Sequence, residues 1–202
     1  MSQSESSAAP ALPASVQLIQ MGAGAWVSAA VTTAAQLGLA DHLADGPRSA
    51  DELASVTGAL PSTLHRFMRT LAGFGILSEG EGQRFALTPL GEALKTGAPG
   101  SARSTLMAFG GPAFTRGWEA LTYSLETGRP GFEKVHGLPL FDFLAQNPEA
   151  AALFSEAMVG FHGSEPPTVA EAYDFSAVRT VVDVGGSTGN MLAALLSRHP
   201  RL

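Results

Sequence analysis

The segment VRTVVDVGGSTGNMLAALLSRHP, residues 178–200, constrains the fold more than any other stretch. Val178, Val181, Val182 and Val184 make a β-branched run that is apolar on both faces, the pattern of a strand buried in a parallel sheet. Glycines follow at once. Met191, Leu192, Leu195 and Leu196 then fall on one face of a helix that Pro200 ends. Strand, tight turn and helix in this order form a βα unit. Such a turn lets a ligand approach the main chain, and the helix start offers unpaired N–H groups and partial positive charge. The dinucleotide pattern G-x-G-x-x-G fails, because positions 185, 187 and 190 hold Gly, Ser and Asn. The phosphate loop fails because it has no Lys. The alternative is a tight strand-to-helix turn with no ligand.

Upstream, residues 48–95 have a second clear organisation. Ser49 with Glu52 is a capping box for a helix that Gly58 ends. Pro61 starts another helix, with Leu64, Phe67, Met68, Leu71 and Phe74 on one side. Two short apolar strands then flank a hairpin at Gly80 to Gly82. Helix, turn, helix and hairpin outline a winged helix. Residues 16–44 read as two helices with a break near Gly22 to Gly24 and a stop near Gly38. The second is apolar around much of its circumference, which calls for burial of more than one face, the extra one against a partner subunit. Residues 100–172 read as helices separated by Pro- and Gly-rich turns, with a weak boundary at Pro166–Pro167 and a firmer one at 174–177. The expected organisation is a flexible tail over 1–15, a winged-helix module over 16–100, a helical region over 101–174 and the α/β start over 175–202.

Charge and composition narrow the function. The chain has 12 basic and 18 acidic residues, a net charge of −6, which disfavours nucleic acid and anionic membrane as partners. Within 48–95 the basic and acidic residues balance, and Glu79 and Glu81 on the wing would meet phosphate badly. The winged helix is therefore expected to be structural, with Arg66 and Arg69 solvated or ion-paired. A DNA-binding regulator is the lesser alternative. The absence of cysteine excludes disulfides, thiolate metal sites and a Cys nucleophile. No stretch holds about 18 uninterrupted apolar residues, and the first fifteen lack Lys and Arg, so neither a span nor a signal peptide is expected. A cytoplasmic protein without metal is the expectation.

With one mismatch, the glycine segment fits acid-x-G-x-G-x-G. Asp183, Gly185 and Gly189 match, and Ser187 stands in place of the middle glycine. That pattern resembles the first motif of S-adenosylmethionine-dependent methyltransferases. The wider resemblance is to the O-methyltransferases of plant phenolics and bacterial aromatic antibiotics. It runs through AAQLGLADHLADGPRSADELASVTGA, TLHRFMRTLAGFGILSEGEGQRFALTPLGEAL, GWEALTYSLETGRPGFEKVHGLPLFDFLAQNPEAAALFSEAM and AEAYDFSAVRTVVDVGGSTGNMLAALLSRHP.

The resemblance implies a mainly α dimerisation domain containing a winged helix, followed by the first βα unit of a Rossmann-like catalytic domain. It implies a homodimer, S-adenosylmethionine as cofactor and a hydroxylated aromatic or polyketide acceptor. Asp183, Gly185, Gly186, Ser187 and Gly189 are the cofactor-binding candidates. Asp183 would meet the ammonium of the methionine end, and the loop amides its carboxylate and the ribose. Trp118, Phe154, Met158, Phe161 and His162 are candidates for the pocket, with core packing as the competing role for each. The family's catalytic His lies downstream of the glycine motif, so neither His162 nor His199 inherits that role. The family's ribose-binding acid and base are expected beyond residue 202. The chain is accordingly expected to be a fragment, inactive alone, or a non-catalytic dimerisation partner of a longer homologue.

Overall fold

The computed structural model describes residues 12–163 and 165–202. Residues 1–11 of the expected tail lie outside the described residues, and the chain is already helical from Ala14.

The first helix, α1 (Ala14–Gln36), is continuous, which corrects the break expected near Gly22 to Gly24. An interior glycine costs a helix about 1 kcal/mol relative to alanine. Without a proline that is too little to interrupt so long an apolar run. The end of α1 buries Thr32, Ala34 and Ala35, while Leu18, Ile19, Met21 and Trp26 stand exposed on its first turns. By length and composition α1 is able to cross a membrane, although it contains no unbroken apolar run of that length. Gly38, with φ of 61°, turns the chain into α2 (Leu39–His42).

The next elements build one small core. β1 (Arg48–Ser49) leads into α3 (Ala50–Thr57), whose start carries the expected capping box. The Glu52 N–H donates to Ser49 Oγ at 3.3 Å, and the Ser49 N–H donates to Glu52 Oε2 at 2.6 Å. α4 (Pro61–Gly73) buries Leu64, Met68 and Leu71, as its spacing predicts. Phe74 departs from that face because it is the C-cap residue, past the last regular turn. β2 (Leu77–Glu79) and β3 (Arg84–Leu87) form the hairpin, and α5 (Pro89–Glu92) follows. The antiparallel sheet has the order β1-β3-β2, so the two-residue β1, which the sequence pattern does not announce, completes one edge. Leu53, Met68, Leu71 and Phe85 are fully buried between helices and sheet. Each such side chain contributes about 1.5–3 kcal/mol. The charges of this module pair with one another: Arg69 with Glu79 at 3.4 Å, and Arg84 with Glu52 at 3.1 Å.

Short helices come next: α6 (Arg103–Phe109), α7 (Pro112–Glu119), α8 (Leu121–Thr127), α9 (Gly131–His136) and α10 (Leu140–Gln146). The longer α11 (Pro148–His162) and then α12 (Glu165–Ala172) follow. Pro166 and Pro167 sit in the first turn of α12, where a missing N–H costs nothing, just past the junction with α11. α6 packs between α1 and α11. Glycine permits both approaches. A Cβ on Gly110 would overlap Thr32 Oγ1, and one on Gly160 would crowd the Ser101 carbonyl oxygen. Thr32 Oγ1 donates to the Leu106 carbonyl at 3.3 Å, and Thr105 Oγ1 to the Ala157 carbonyl at 3.0 Å.

The last helix, α13 (Asn190–Arg198), lies against α12. His199 fixes that contact, with Nε2 at 2.8 Å from the Ala170 carbonyl and its ring 5.1 Å from that of Phe175. The βα unit expected here is formed only in its helical half. Residues 178–184 join no ladder among the described residues. Val182 and Val184 are 79% and 92% exposed, which corrects the buried strand. Strand pairing needs a neighbouring edge, and no described segment supplies one.

Candidate functional site

The glycine loop faces a cavity of about 470 Å³. One wall is the loop and the start of α13: Asp183, Gly186, Ser187, Thr188, Asn190, Met191 and Ala194. The opposite wall is the end of α11 and the start of α12: Ser155, Met158, Val159, His162, Gly163, Glu165, Pro166 and Pro167. The packing of α13 on α12 sets the distance between the two walls.

The loop is shaped by left-handed residues. Gly185 and Gly189 have φ of 76° and 77°, a region glycine enters without cost. Ser187 adopts φ of 46°, which does cost an L-residue. The Gly189 N–H donates to the Gly186 carbonyl at 2.7 Å and closes the turn. Gly189 is the N-cap of α13, and no side chain caps that end. The first amides of α13 therefore remain available to a ligand, in the field of the helix dipole.

Asp183 is drawn into the same turn. Its carboxylate lies against the α-carbon of Gly186, and only a glycine leaves room for it. Asp183 Oδ2 is buried and has no hydrogen-bond partner among the described residues. A buried carboxylate oxygen without a donor is costly and marks a place where a donor belongs.

Of the five loop candidates, Asp183, Gly186 and Ser187 line the cavity, while Gly185 and Gly189 bend the chain that presents them. Of the pocket candidates, Met158 and His162 line it too. Phe154 and Phe161 do not. A helix advances 100° per residue, so residues 155, 158, 159 and 162 share one face and 154 and 161 share another. Phe154 stacks on Phe114, centroids 6.0 Å apart, and both Phe154 and Phe161 meet the edge of Phe109. Phe154 thus belongs to the aromatic packing between α6, α7 and α11. Trp118, on α7, is 71% exposed and lies away from the cavity.

Glu165 was not among the candidates. His162 Nδ1 and Glu165 Oε2 are 2.7 Å apart across the junction of α11 and α12. The i, i+3 spacing could have suggested the pair, but two prolines after Glu165 read as a boundary.

A second cavity, about 750 Å³, lies on the other flank of α11 against the 96–104 segment. Its polar lining includes Arg103, Glu156, Ser101 and Ser104. It shares Val159 and Gly163 with the first cavity, but it does not touch the glycine loop. Among the described residues no cluster of His, Asp or Glu is arranged to hold a metal ion.

Comparison with known proteins gives two family models along the chain. The O-methyltransferase dimerisation domain matches residues 19–97, and the O-methyltransferase domain matches residues 118–202. The phenazine O-methyltransferase PhzM of Lysobacter antibioticus is 39% identical over 97% of this chain and 57% of its own length. The crystal structure of LaPhzM superposes with a TM-score of 0.90 at 39% identity, over 94% of this chain and 57% of that one. NcsB1, an O-methyltransferase of neocarzinostatin biosynthesis, superposes with a TM-score of 0.69 at 34% identity, over 87% of this chain and 54% of that one. Its structure contains S-adenosyl-L-homocysteine and 1,4-dihydroxy-2-naphthoic acid. The chain spans about half the length of the curated relatives it matches.

Proposed function

The chain belongs to the O-methyltransferase family that carries a dimerisation domain, and from that premise we propose that it serves S-adenosylmethionine-dependent methylation of a hydroxylated aromatic or polyketide small molecule. The observation that carries this reading is the cavity between the uncapped start of α13 and the end of α11, with the glycine turn at its edge.

The residues present fit the cofactor. The open amides of the loop and α13 suit the carboxylate of its methionine end, and the orphaned Asp183 Oδ2 suits a donor such as its ammonium. The absence of a phosphate-binding Lys is no obstacle, because this cofactor has no phosphate. When bound, it supplies an electrophilic methyl group on a sulfonium. What the chain adds is orientation: Met158 and Met191 give the cavity soft apolar surface, and the loop fixes the polar end.

Residues 48–95 act in this proposal as a winged-helix module that serves assembly. The exposed apolar turns of α1 around Ile19 and Trp26 are the surface for a second subunit in a homodimer. A cytoplasmic location and the division into 16–100, 101–174 and 175–202 belong to the same reading. In this reading His162 serves the cofactor rather than the acceptor, and the 202-residue chain by itself is expected to show no turnover.

The test is titration of the chain with S-adenosylhomocysteine while its amide spectrum is followed. Shifts concentrated at Gly185 to Asn190 and at Met158 to Gly163 are expected. An unperturbed loop at millimolar ligand would defeat the reading.

A further inference from the structure

His162 ends α11 and Glu165 opens α12, and both side chains line the cavity opposite the glycine loop. They are half to two-thirds exposed, so the pair is no buried structural contact. His162, Glu165 and Asp183 are the titratable groups that line this cavity, and neither Lys nor Arg is among its lining residues. In the neutral tautomer whose Nδ1–H donates to Glu165, the imidazole keeps the lone pair of Nε2 for a ligand. The α11–α12 wall presents acceptors and no donor side chain with a fixed charge: a carboxylate and an imidazole nitrogen backed by it. The loop wall presents the main-chain donors that open α13, with the Asp183 carboxylate at its edge.

Such a cavity matches a ligand end that carries an ammonium and a carboxylate on one carbon. Building on the cofactor reading above, we infer that the His162–Glu165 pair accepts a hydrogen bond from the α-ammonium of the cofactor's methionine end. Glu165 acts through His162: it holds the ring with Nε2 toward the cavity. The pair therefore selects ligands that bear an amino acid over those that bear only the nucleoside thioether. It is a positioning device for the cofactor and takes no proton from the acceptor.

Three ligands separate the possibilities on the full chain: S-adenosylhomocysteine, its deaminated analogue with a keto group in place of the amine, and 5′-methylthioadenosine. The wild-type chain should bind S-adenosylhomocysteine about tenfold or more tightly than the keto analogue, the scale of one charge-assisted hydrogen bond. In His162→Phe that preference should fall severalfold, leaving the part that Asp183 supplies, while methylthioadenosine affinity is unchanged. His162→Gln, which keeps an acceptor, should recover part of it. If His162→Phe weakens all three ligands alike, or leaves the amine preference intact, the inference is overturned. Glu165→Ala gives the same comparison without altering α11, should the Phe variant lose its helical circular dichroism. Failure of the wild-type chain to bind any of the three is a different result: it removes the cofactor reading itself, and this one with it.

Discussion

The carboxylate of Asp183 rests against the α-carbon of Gly186, in space that a side chain at 186 would occupy. The acid and the glycine are therefore one device. Gly186→Ala must push Asp183 aside or open the turn closed by the Gly189-to-Gly186 hydrogen bond. Loss of S-adenosylhomocysteine-induced shifts in the loop is expected, with the urea midpoint of the 48–95 core unchanged. Retained shifts in Gly186→Ala would show that the loop tolerates the displacement.

Ser187 holds a left-handed φ of 46° where glycine is at ease. Ser187→Gly should relieve about 1 kcal/mol of local conformational cost. Ser187→Ala keeps that cost and loses the hydroxyl. Amide exchange across 185–190 is expected to slow in the Gly variant and to stay as in wild type in the Ala variant. Equal exchange in both would assign the conformation no cost.

Phe85 is fully enclosed by α3, α4 and the sheet, with its ring 5.6 Å from that of His65. Phe85→Ala should lower stability by about 3–5 kcal/mol through lost burial and the cavity left behind. Urea denaturation measures this directly, and a loss under about 1 kcal/mol would mean that the core collapses around the gap.

Two carboxylates set the acid limb of stability. Burial works against the charge of Asp41, but hydrogen bonds from the Thr96 hydroxyl and N–H, each 2.7 Å, and the nearby Arg103 and His42 outweigh it and hold its carboxyl below the usual range. The Ser49 N–H does the same for Glu52, helped by Arg84. Groups lowered on folding stabilise the folded state above their ordinary values. The contribution fades as the pH drops through the ordinary carboxylate range toward the folded values. Asp41→Asn and Glu52→Gln should each flatten the fall in stability between about pH 5 and pH 3. An unchanged slope would show that neither interaction survives in solution.

Ile19 and Trp26 are 70% and 79% exposed on α1. If they form the subunit contact, Ile19→Asp with Trp26→Asp should convert a dimer to a monomer in light scattering, with the helical spectrum kept. A dimer that persists would move the interface elsewhere.

The parts of this fold that could be read from sequence are those fixed by neighbours in the chain. Ser49 and Glu52 cap α3 across three residues, Gly58 stops it, and Leu64, Met68 and Leu71 recur at the helical period. The parts that could not are fixed by distant partners. Whether Gly22 and Gly24 bend α1 depends on the total helical bias around them, and β1 exists only because Phe85 and Arg84 offer it an edge. Val181 to Val184 have strand chemistry, yet composition alone provides no pairing partner. At the site, the glycine pattern located the loop. It could not decide which face of α11 would look at it, and only about 40–100° around the helix separates Met158 and His162 at the cavity from Phe154 and Phe161 elsewhere. Glu165 was hidden by the prolines that follow it.

α6 is pinned on both flanks, at Gly110 against the Thr32 side chain and at Gly160 against the Ser101 carbonyl, where the absence of a Cβ brings backbone close to its neighbour. The end of α11 that walls the cavity is thereby seated, through α6, on the last turns of α1, so the cleft and the dimerisation helix share one continuous stack of backbone.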